Sequence, residues 1–425
     1  MPQTTTSPPV PPAPVDIPTD VPSAPQSSAR SAASRIEALD LVRLVAIVGM
    51  MTTHLLVPLA QGAGGAAWQQ ALARVAAVLT EGPSATLFAV IGGCSLVLST
   101  RGRLRAGDRR GAVLSGVTRG ALVLAIGLLL GFVPTSVIVV LVPFGLGMML
   151  TAPLLLCSDR VLIAIAAVLA LVGGPANAAL RMHLQVVQDI GNVTPLNLAH
   201  PVVLVRGLAL TGMYPLVTWL PYMLLGVLLM RSMLRAIDAG TARRWSARTL
   251  ALGAGAALVA YIVSALAKAW ARHVGVDPLL ISLTGFGGPV KADPWVLLAA
   301  NAHTGTLTDM VATAGLAVAL IGMVALLLPP DRHLTSVPGR TLRAAGAAPL
   351  TVYTGHVLLT GIALILALIT SGGLPTAMPW YVGGPWILLV HLLLLAGFGL
   401  MLARRGTRGP LEALVSRTVR RVTEH

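Results

Sequence analysis

Asp40, Arg43 and His54 fall on one stripe of a single apolar segment. At about 100° per residue, the eleven-residue step from Arg43 to His54 closes three turns with about 20° left over. It carries the imidazole roughly 16 Å further along the axis. Ionisable side chains that deep in hydrocarbon are costly, turn toward the protein interior and mark a site by default. An imidazole at that position is a candidate general base near neutral pH. Arg43 can grip an anionic group that arrives at the start of the helix, or lay its stem along the helix and reach the headgroups. Asp40 can partner Arg43 in that task, or form with it an ordinary pair three residues apart.

Other residues could join this chemistry. Arg119 lies about eight residues inside a later apolar segment, where it could meet a phosphate or pair with an acidic side chain. Tyr353 and His356 stand one helical turn apart and put a second polar stripe in an apolar run entered through Pro349. Glu81 and Asp309 each open a run at the end away from the arginine clusters. There a carboxylate is favoured by the helix dipole alone, but one of them could also orient His54 or contact a substrate. His303 is a loop residue with the same two readings. The sequence contains no GxxxxGK[ST], HExxH or GxSxG and no close His/Cys cluster. P-loop, metalloprotease and serine-hydrolase chemistry therefore lack support, and no metal is expected.

The elements that must hold these residues are membrane helices. The chain has 425 residues, of which 55% are hydrophobic and 11% charged. Apolar runs long enough to cross about 30 Å of hydrocarbon recur near 38–59, 80–100, 112–131, 134–156, 161–179, 207–231, 247–267, 306–328, 347–370 and 384–403. The expected fold is all-α, a polytopic bundle of about ten transmembrane helices. Its net charge of +15 is distributed by topology rather than gathered into a nucleic-acid patch. Most arginines follow the second, sixth, eighth and tenth runs, which by the positive-inside rule places both termini in the cytoplasm. The expected location is the plasma membrane, with lipid as a partner and no nucleic acid.

Residues 1–34 carry nine prolines among Ser, Thr and Ala and are expected to be a disordered cytoplasmic tail. The membrane domain is expected over 35–403 and a basic cytoplasmic tail over 404–425. No cleavable signal precedes the first run, which is expected to act as a signal-anchor. Substantial outer loops are expected at 60–79, 180–206 and 268–305, carrying polar residues suited to substrate recognition. Cys94 and Cys157 sit in or beside apolar runs and read as packing residues. Gly127 and Gly131 form a GxxxG, a general helix-packing signal, and the sequence leaves room for a homodimer.

The run Arg35-x4-Asp40-x2-Arg43…Met50-Met-x2-His54 resembles the first-helix signature of the transmembrane acyltransferase superfamily, which includes YeiB-like and heparan-α-glucosaminide N-acetyltransferase-like proteins. Leu87-Phe-Ala-Val-Ile-Gly-Gly-Cys-Ser95 and Gly212-Met-Tyr-Pro215 with Trp219-Leu-Pro-Tyr222 resemble further YeiB-like segments. So do His303-Thr-Gly-Thr306, Ala348-Pro-Leu-Thr-Val-Tyr353 with His356, and Gly409-Pro-Leu-Glu412. Leu44 stands where these families usually have glycine, and His54 where the lysosomal enzymes have asparagine.

The resemblance implies a cytoplasmic acyl donor, acetyl-CoA or another acyl-CoA, and an extracytoplasmic carbohydrate, lipid or small-molecule acceptor with a hydroxyl or amine. On this reading His54 is taken as the base, with His356 or Tyr353 in support. Arg43, Arg119 and Asp40 fall to the donor, and Glu81, His303 and Asp309 to the acceptor. The rival reading is a transporter of a small polar solute that uses intramembrane His, Arg and Asp as a relay. The topology is checked by fusing reporters after His425: a green fluorescent protein is expected to light up and an alkaline phosphatase to stay inactive. The reverse pattern would overturn the assignment.

Overall fold

Helices form wherever the apolar runs were read, because a chain in hydrocarbon must satisfy its backbone polar groups within itself. The computed structural model describes residues 36–424 apart from 63, 284, 290 and 374–376. The proline-rich segment 1–34, Arg35 and Thr284 lie outside the described residues. Among the described residues there is no strand. The principal helices are α1 (Glu37–Ala60), α2 (Ala67–Thr80), α3 (Pro83–Arg105), α4 (Arg109–Leu130) and α5 (Leu141–Leu154). They continue with α6 (Asp159–Leu184), α7 (Leu216–Asp238), α8 (Ala242–His273) and α9 (Leu307–Leu327). The chain closes with α10 (Val337–Gly346), α11 (Pro349–Ser371), α12 (Pro385–Arg405) and α13 (Pro410–Thr423).

Among the described residues, 9 helical segments are long and apolar enough to cross a membrane, with α2 and α3 counted as one run. The fourth expected run, 134–156, contributes the shorter α5 of 14 residues. Helix starts carry their usual signals. Proline opens α3, α11, α12 and α13, where its missing N–H costs nothing. Asp108 caps α4 by accepting from the Gly111 N–H (2.8 Å), and Thr306 caps α9 by accepting from the Asp309 N–H (3.1 Å).

The stretch 60–79, expected as a loop, is largely the helix α2. Its alanine-, leucine- and glutamine-rich sequence favours helix, and Ala73 and Ala76 pack on Leu56 and Leu59 of α1. Gly82, at φ 90°, then turns the chain into α3. Parts of the other two outer stretches are helical as well, since α6 runs to Leu184 and α8 to His273.

Helix α1 sits inside the bundle, touching α2, α3, α9, α10, α11 and α12. Its neighbour α3 meets α7 backbone to backbone: a Cβ on Gly93 would stand 2.0 Å from the Met223 carbonyl oxygen, and one on Gly226 1.9 Å from that of Val90. Small residues at such crossings replace the hydrophobic drive that lipid does not supply. Gly127 and Gly131 are likewise used within the chain, against Val142 of α5 and Val193. Cys94 is buried at the α3–α7 contact and its thiol donates to the Gly226 carbonyl (3.2 Å).

Gly226→Ala is expected to cost about 1–3 kcal/mol through overpacking, read as a lowered thermal midpoint in detergent. Gly255→Ala, where added carbon meets nothing within 4 Å, is expected to leave the midpoint unchanged. Equal behaviour of the two variants would contradict the close α3–α7 contact.

Candidate active site

Arginines gather at one end of the bundle, and there a cavity of about 360 Å³ opens between α1, α3, α4, α5, α11 and α13. Arg43 and Arg119 both line it, with Ser95, Ser99 and Glu412 as further polar groups and Phe88, Leu141 and Phe144 among its apolar walls. Arg43 is held in place on two sides: it donates to Asp40 (2.5 Å) and to the Ser95 hydroxyl (2.8 Å). Asp40 is 2% exposed and stands behind Arg43 as its orienting partner, outside the cavity lining. Among the described residues Arg119 meets no acidic side chain in this way. Its Nε is buried without a hydrogen-bond partner, and Arg43 and Arg408 are close enough to act on its charge. A cavity with converging cations and an unsatisfied guanidinium nitrogen suits a phosphate-bearing ligand.

The floor of this cavity is fastened by Glu412 of α13. Its carboxylate accepts from the Leu350 and Thr351 N–H groups (2.7 and 3.1 Å) and from the Thr351 hydroxyl (2.6 Å). These are orphan donors in the first turn of α11, which always need an outside partner.

Toward the opposite end lies a second, small cavity of about 20 Å³, lined by His54, His303, Tyr353, Tyr214, Thr53 and Ser84 among others. His54 Nδ1 is 3.0 Å from His356 Nε2, and the two rings are nearly parallel, with centres 5.3 Å apart. His356 is buried and does not itself line this cavity; it reaches the site through His54. Tyr353, 1% exposed, accepts a hydrogen bond from the Val140 N–H (3.2 Å), leaving its own hydroxyl hydrogen for another acceptor. Between the two cavities stands an aromatic wall. Tyr353 stacks on Phe88 at 6.4 Å and Phe88 packs on Phe144 at 4.5 Å. Phe88 faces the larger cavity and Tyr353 the smaller.

His303 joins the His54 cavity to a third of about 30 Å³ that also contains Asp309, Tyr222, Trp219 and Thr313. It adopts a left-handed conformation, φ 59°, unusual for a residue with a side chain. Its carbonyl accepts from the Gly287 N–H (2.8 Å) and its ring meets Tyr214 edge-on at 6.1 Å. Burial pushes the His303 imidazole down to about 4, so it is neutral across the physiological range. Burial pushes the Tyr214 hydroxyl up to about 12, so it too stays uncharged. Asp309 is buried and accepts from the Gly305 N–H (2.9 Å), a cap to the loop that carries His303. Glu81 closes α2 between Thr80 and Gly82, which line the His54 cavity; Glu81 itself does not.

Sequence reasoning passed over His391 of α12, which is 3% exposed and meets His356 edge-on at 5.0 Å. The signal was present, since an imidazole at the seventh residue of an apolar helix obeys the rule that singled out His54. Ser95, Tyr214, Tyr222 and Glu412 were inside quoted motifs without being given roles. Among the described residues no group of three metal-ligating side chains is arranged to hold a metal ion.

A bundle of apolar helices with a cationic cavity at one end and buried imidazoles toward the other has the make-up of a multi-pass membrane protein. Residues 35–266, more than half of the chain, match the family described as heparan-alpha-glucosaminide N-acetyltransferase, catalytic, and the chain belongs to that family. The matched stretch includes Arg43, His54 and Arg119 and ends before His303, Tyr353, His356 and His391. No curated protein matches the chain.

Glu412→Ala is expected to weaken protection of the Leu350 and Thr351 amides by about 1–3 kcal/mol, the cost of orphaning buried donors. Hydrogen exchange read by mass spectrometry on α11 peptides checks it. Unchanged exchange would show that α13 does not hold α11.

Proposed function

We propose that the protein transfers an acyl group, acetyl in the simplest case, from cytoplasmic acyl-CoA to a hydroxyl or amine on an extracytoplasmic glycan, lipid or metabolite. The observation that carries the reading is the pair of neighbouring cavities, one with Arg43 and Arg119, the other with His54 and Tyr353, with the Tyr353–Phe88–Phe144 rings between them. The basic end is cytoplasmic by the distribution of arginine. Both termini then lie in the cytoplasm of a multi-pass plasma-membrane protein, and the small cavities face outward.

In this reading Arg43 and Arg119 hold donor phosphate, and the apolar walls of the larger cavity hold the pantetheine arm. Asp40 and Ser95 hold Arg43 in one pose from two sides, which lowers the ordering cost of binding. His54 removes the proton from the acceptor as it attacks the thioester carbonyl. Tyr353, whose hydroxyl oxygen already accepts from Val140, can donate its hydrogen to the developing oxyanion. His303, neutral and backed by the Asp309-capped loop, receives the acceptor from the outer side. Glu81 flanks the same entrance.

Binding and turnover separate the parts. Acetyl-CoA titrated calorimetrically into the protein in lipid nanodiscs is expected to bind at least tenfold more weakly in Arg43→Ala, the loss of one charge-assisted contact. His54→Ala is expected to leave that affinity intact and lower acetyl transfer to glucosamine, an amine probe followed by thiol release, by about 10²–10⁴-fold. Affinity indifferent to both Arg43→Ala and Arg119→Ala would remove the donor assignment. Mass spectrometry of envelope glycans and secreted metabolites from cells with and without the protein identifies the acceptor.

A further inference from the structure

His391 stands beside the site without a part in it, and its ring and the neighbouring His356 ring each carry an unsatisfied nitrogen. Among the described residues His356 Nδ1 and His391 Nε2 are both buried with no hydrogen-bond partner. Their rings are neighbours, centres 5.0 Å apart and planes at 76°. Two imidazoles joined nitrogen to nitrogen have centres separated by about this distance, the length of an N–H···N bond plus two ring radii. The two nitrogens do not bond each other in this structure, and leaving both unpaired on neighbouring rings in an apolar core is costly, so a turn of either ring that pairs them is favoured.

The tautomers can be assigned from the partners. His391 Nδ1 is 2.9 Å from the Ile387 carbonyl oxygen; a carbonyl only accepts, so Nδ1 bears the hydrogen and Nε2 of the neutral ring is an acceptor. His54 must leave Nε2 bare to act as a base. Its own hydrogen then sits on Nδ1, which donates to His356 Nε2 across 3.0 Å. His356 in turn carries its hydrogen on Nδ1, the donor that His391 Nε2 lacks. All three rings are thereby assigned to the same Nδ1–H tautomer, pointing in one direction along the chain.

We infer that His54, His356 and His391 form a single proton relay, with His391 as the residue that holds the proton while the acyl group changes hands. The inference rests on His54 being the base. When the acceptor attacks, its proton bonds to His54 Nε2, the Nδ1 hydrogen of His54 passes to His356 Nε2, and that of His356 passes to His391 Nε2. His391 becomes an imidazolium whose Nδ1–H remains on the Ile387 carbonyl. Collapse of the tetrahedral intermediate breaks the carbon–sulfur bond and expels the thiolate. The three hydrogens then step back, and His54 Nε2 delivers one to sulfur. The products are the acylated acceptor and the free thiol, and the relay ends as it began. His391 touches no reacting atom; it is a positioning and proton-holding residue that acts through His356.

Two measurements test this independently. In full-length protein labelled with ¹⁵N-histidine in nanodiscs, the resonances lost in His54→Gln, His356→Gln and His391→Gln are expected to report Nδ1–H in all three rings. An isolated imidazole in water prefers the other tautomer, so the result is diagnostic. An Nε2–H assignment for His356 or His391 would overturn the relay whatever the activity.

For the second, His391→Gln keeps an acceptor near the Nε2 position yet cannot hold a proton, whereas His391→Leu removes both. In the thiol-release assay both variants are expected to lose kcat by roughly tenfold, less than the loss of a general base, with KM for acetyl-CoA unchanged. Wild-type kcat in His391→Gln beside a depressed His391→Leu would show a purely structural hydrogen bond and refute the relay. Failure of the proposed function itself would look different: His54→Ala would turn over normally while the tautomer pattern stayed as assigned.

Discussion

Glu37, Arg43 and His54 of α1 each take a partner from another helix, in surroundings that supply little water. Arg43 takes Ser95 of α3 as well as its own Asp40, His54 takes His356 of α11, and Glu37 at the start accepts from Arg343 of α10 and from the Leu334 N–H. These bonds pull three different helices onto α1. They also explain the close contact at Gly346, where a Cβ would stand 1.9 Å from the Asp40 carbonyl oxygen. A buried ion pair or imidazole pair adds little net stability over apolar packing, yet breaking one partner is costly. Its consequence here is register: α1 can neither rotate nor slide without orphaning a charge.

The proposed transfer of a group across the bundle meets two opposed requirements. Donor and acceptor must meet within bonding distance, and water and ions must not pass. The Tyr353–Phe88–Phe144 wall answers the second, since its rings fill the space between cavities with apolar area. It bears on the first as well, because Tyr353 belongs to both wall and site. The larger cavity is apolar along most of its lining and polar at Arg43, Arg119, Ser95, Ser99 and Glu412, the division expected for a ligand with a charged head and an uncharged arm.

The opposite end is organised by a different buried cation. Arg181 of α6 is 4% exposed and donates to Asn177 (2.6 Å), to the carbonyls of Gly212 and Phe286 (3.2 and 2.9 Å), and to that of Val187. One planar guanidinium thereby gathers three stretches of irregular chain, whose carbonyls would otherwise be buried unpaired. Nearby, Asp189 accepts from both Arg206 nitrogens at 2.6 Å and from Thr211, and those partners hold its carboxyl below the usual carboxylate range. Tyr214 and His303 are set by this scaffold.

The apolar runs, their helical state and the Arg43–His54 stripe were legible in the amino-acid order, because hydropathy and the 3.6-residue period are local properties that lipid only reinforces. Arg43 and Arg119 could be singled out by depth alone, and Tyr353 with His356 by spacing. What one dimension could not carry was partnership. That His54 meets His356, 302 residues away, that Arg119 reaches the same cavity as Arg43, and that His391 stands behind His356 all depend on which helices pack together. That choice is made by small-residue contacts such as Gly93 with Met223, which leave no periodic trace. The helical content of 60–79 was missed for a related reason: α2 is amphipathic and short of a clean apolar run, and only its packing against Leu56 and Leu59 gives it a place. Composition therefore determined that this chain lives among lipids and where its polar groups sit along each helix. Tertiary packing decided which of those groups see one another, since a buried donor finds its acceptor by proximity in space.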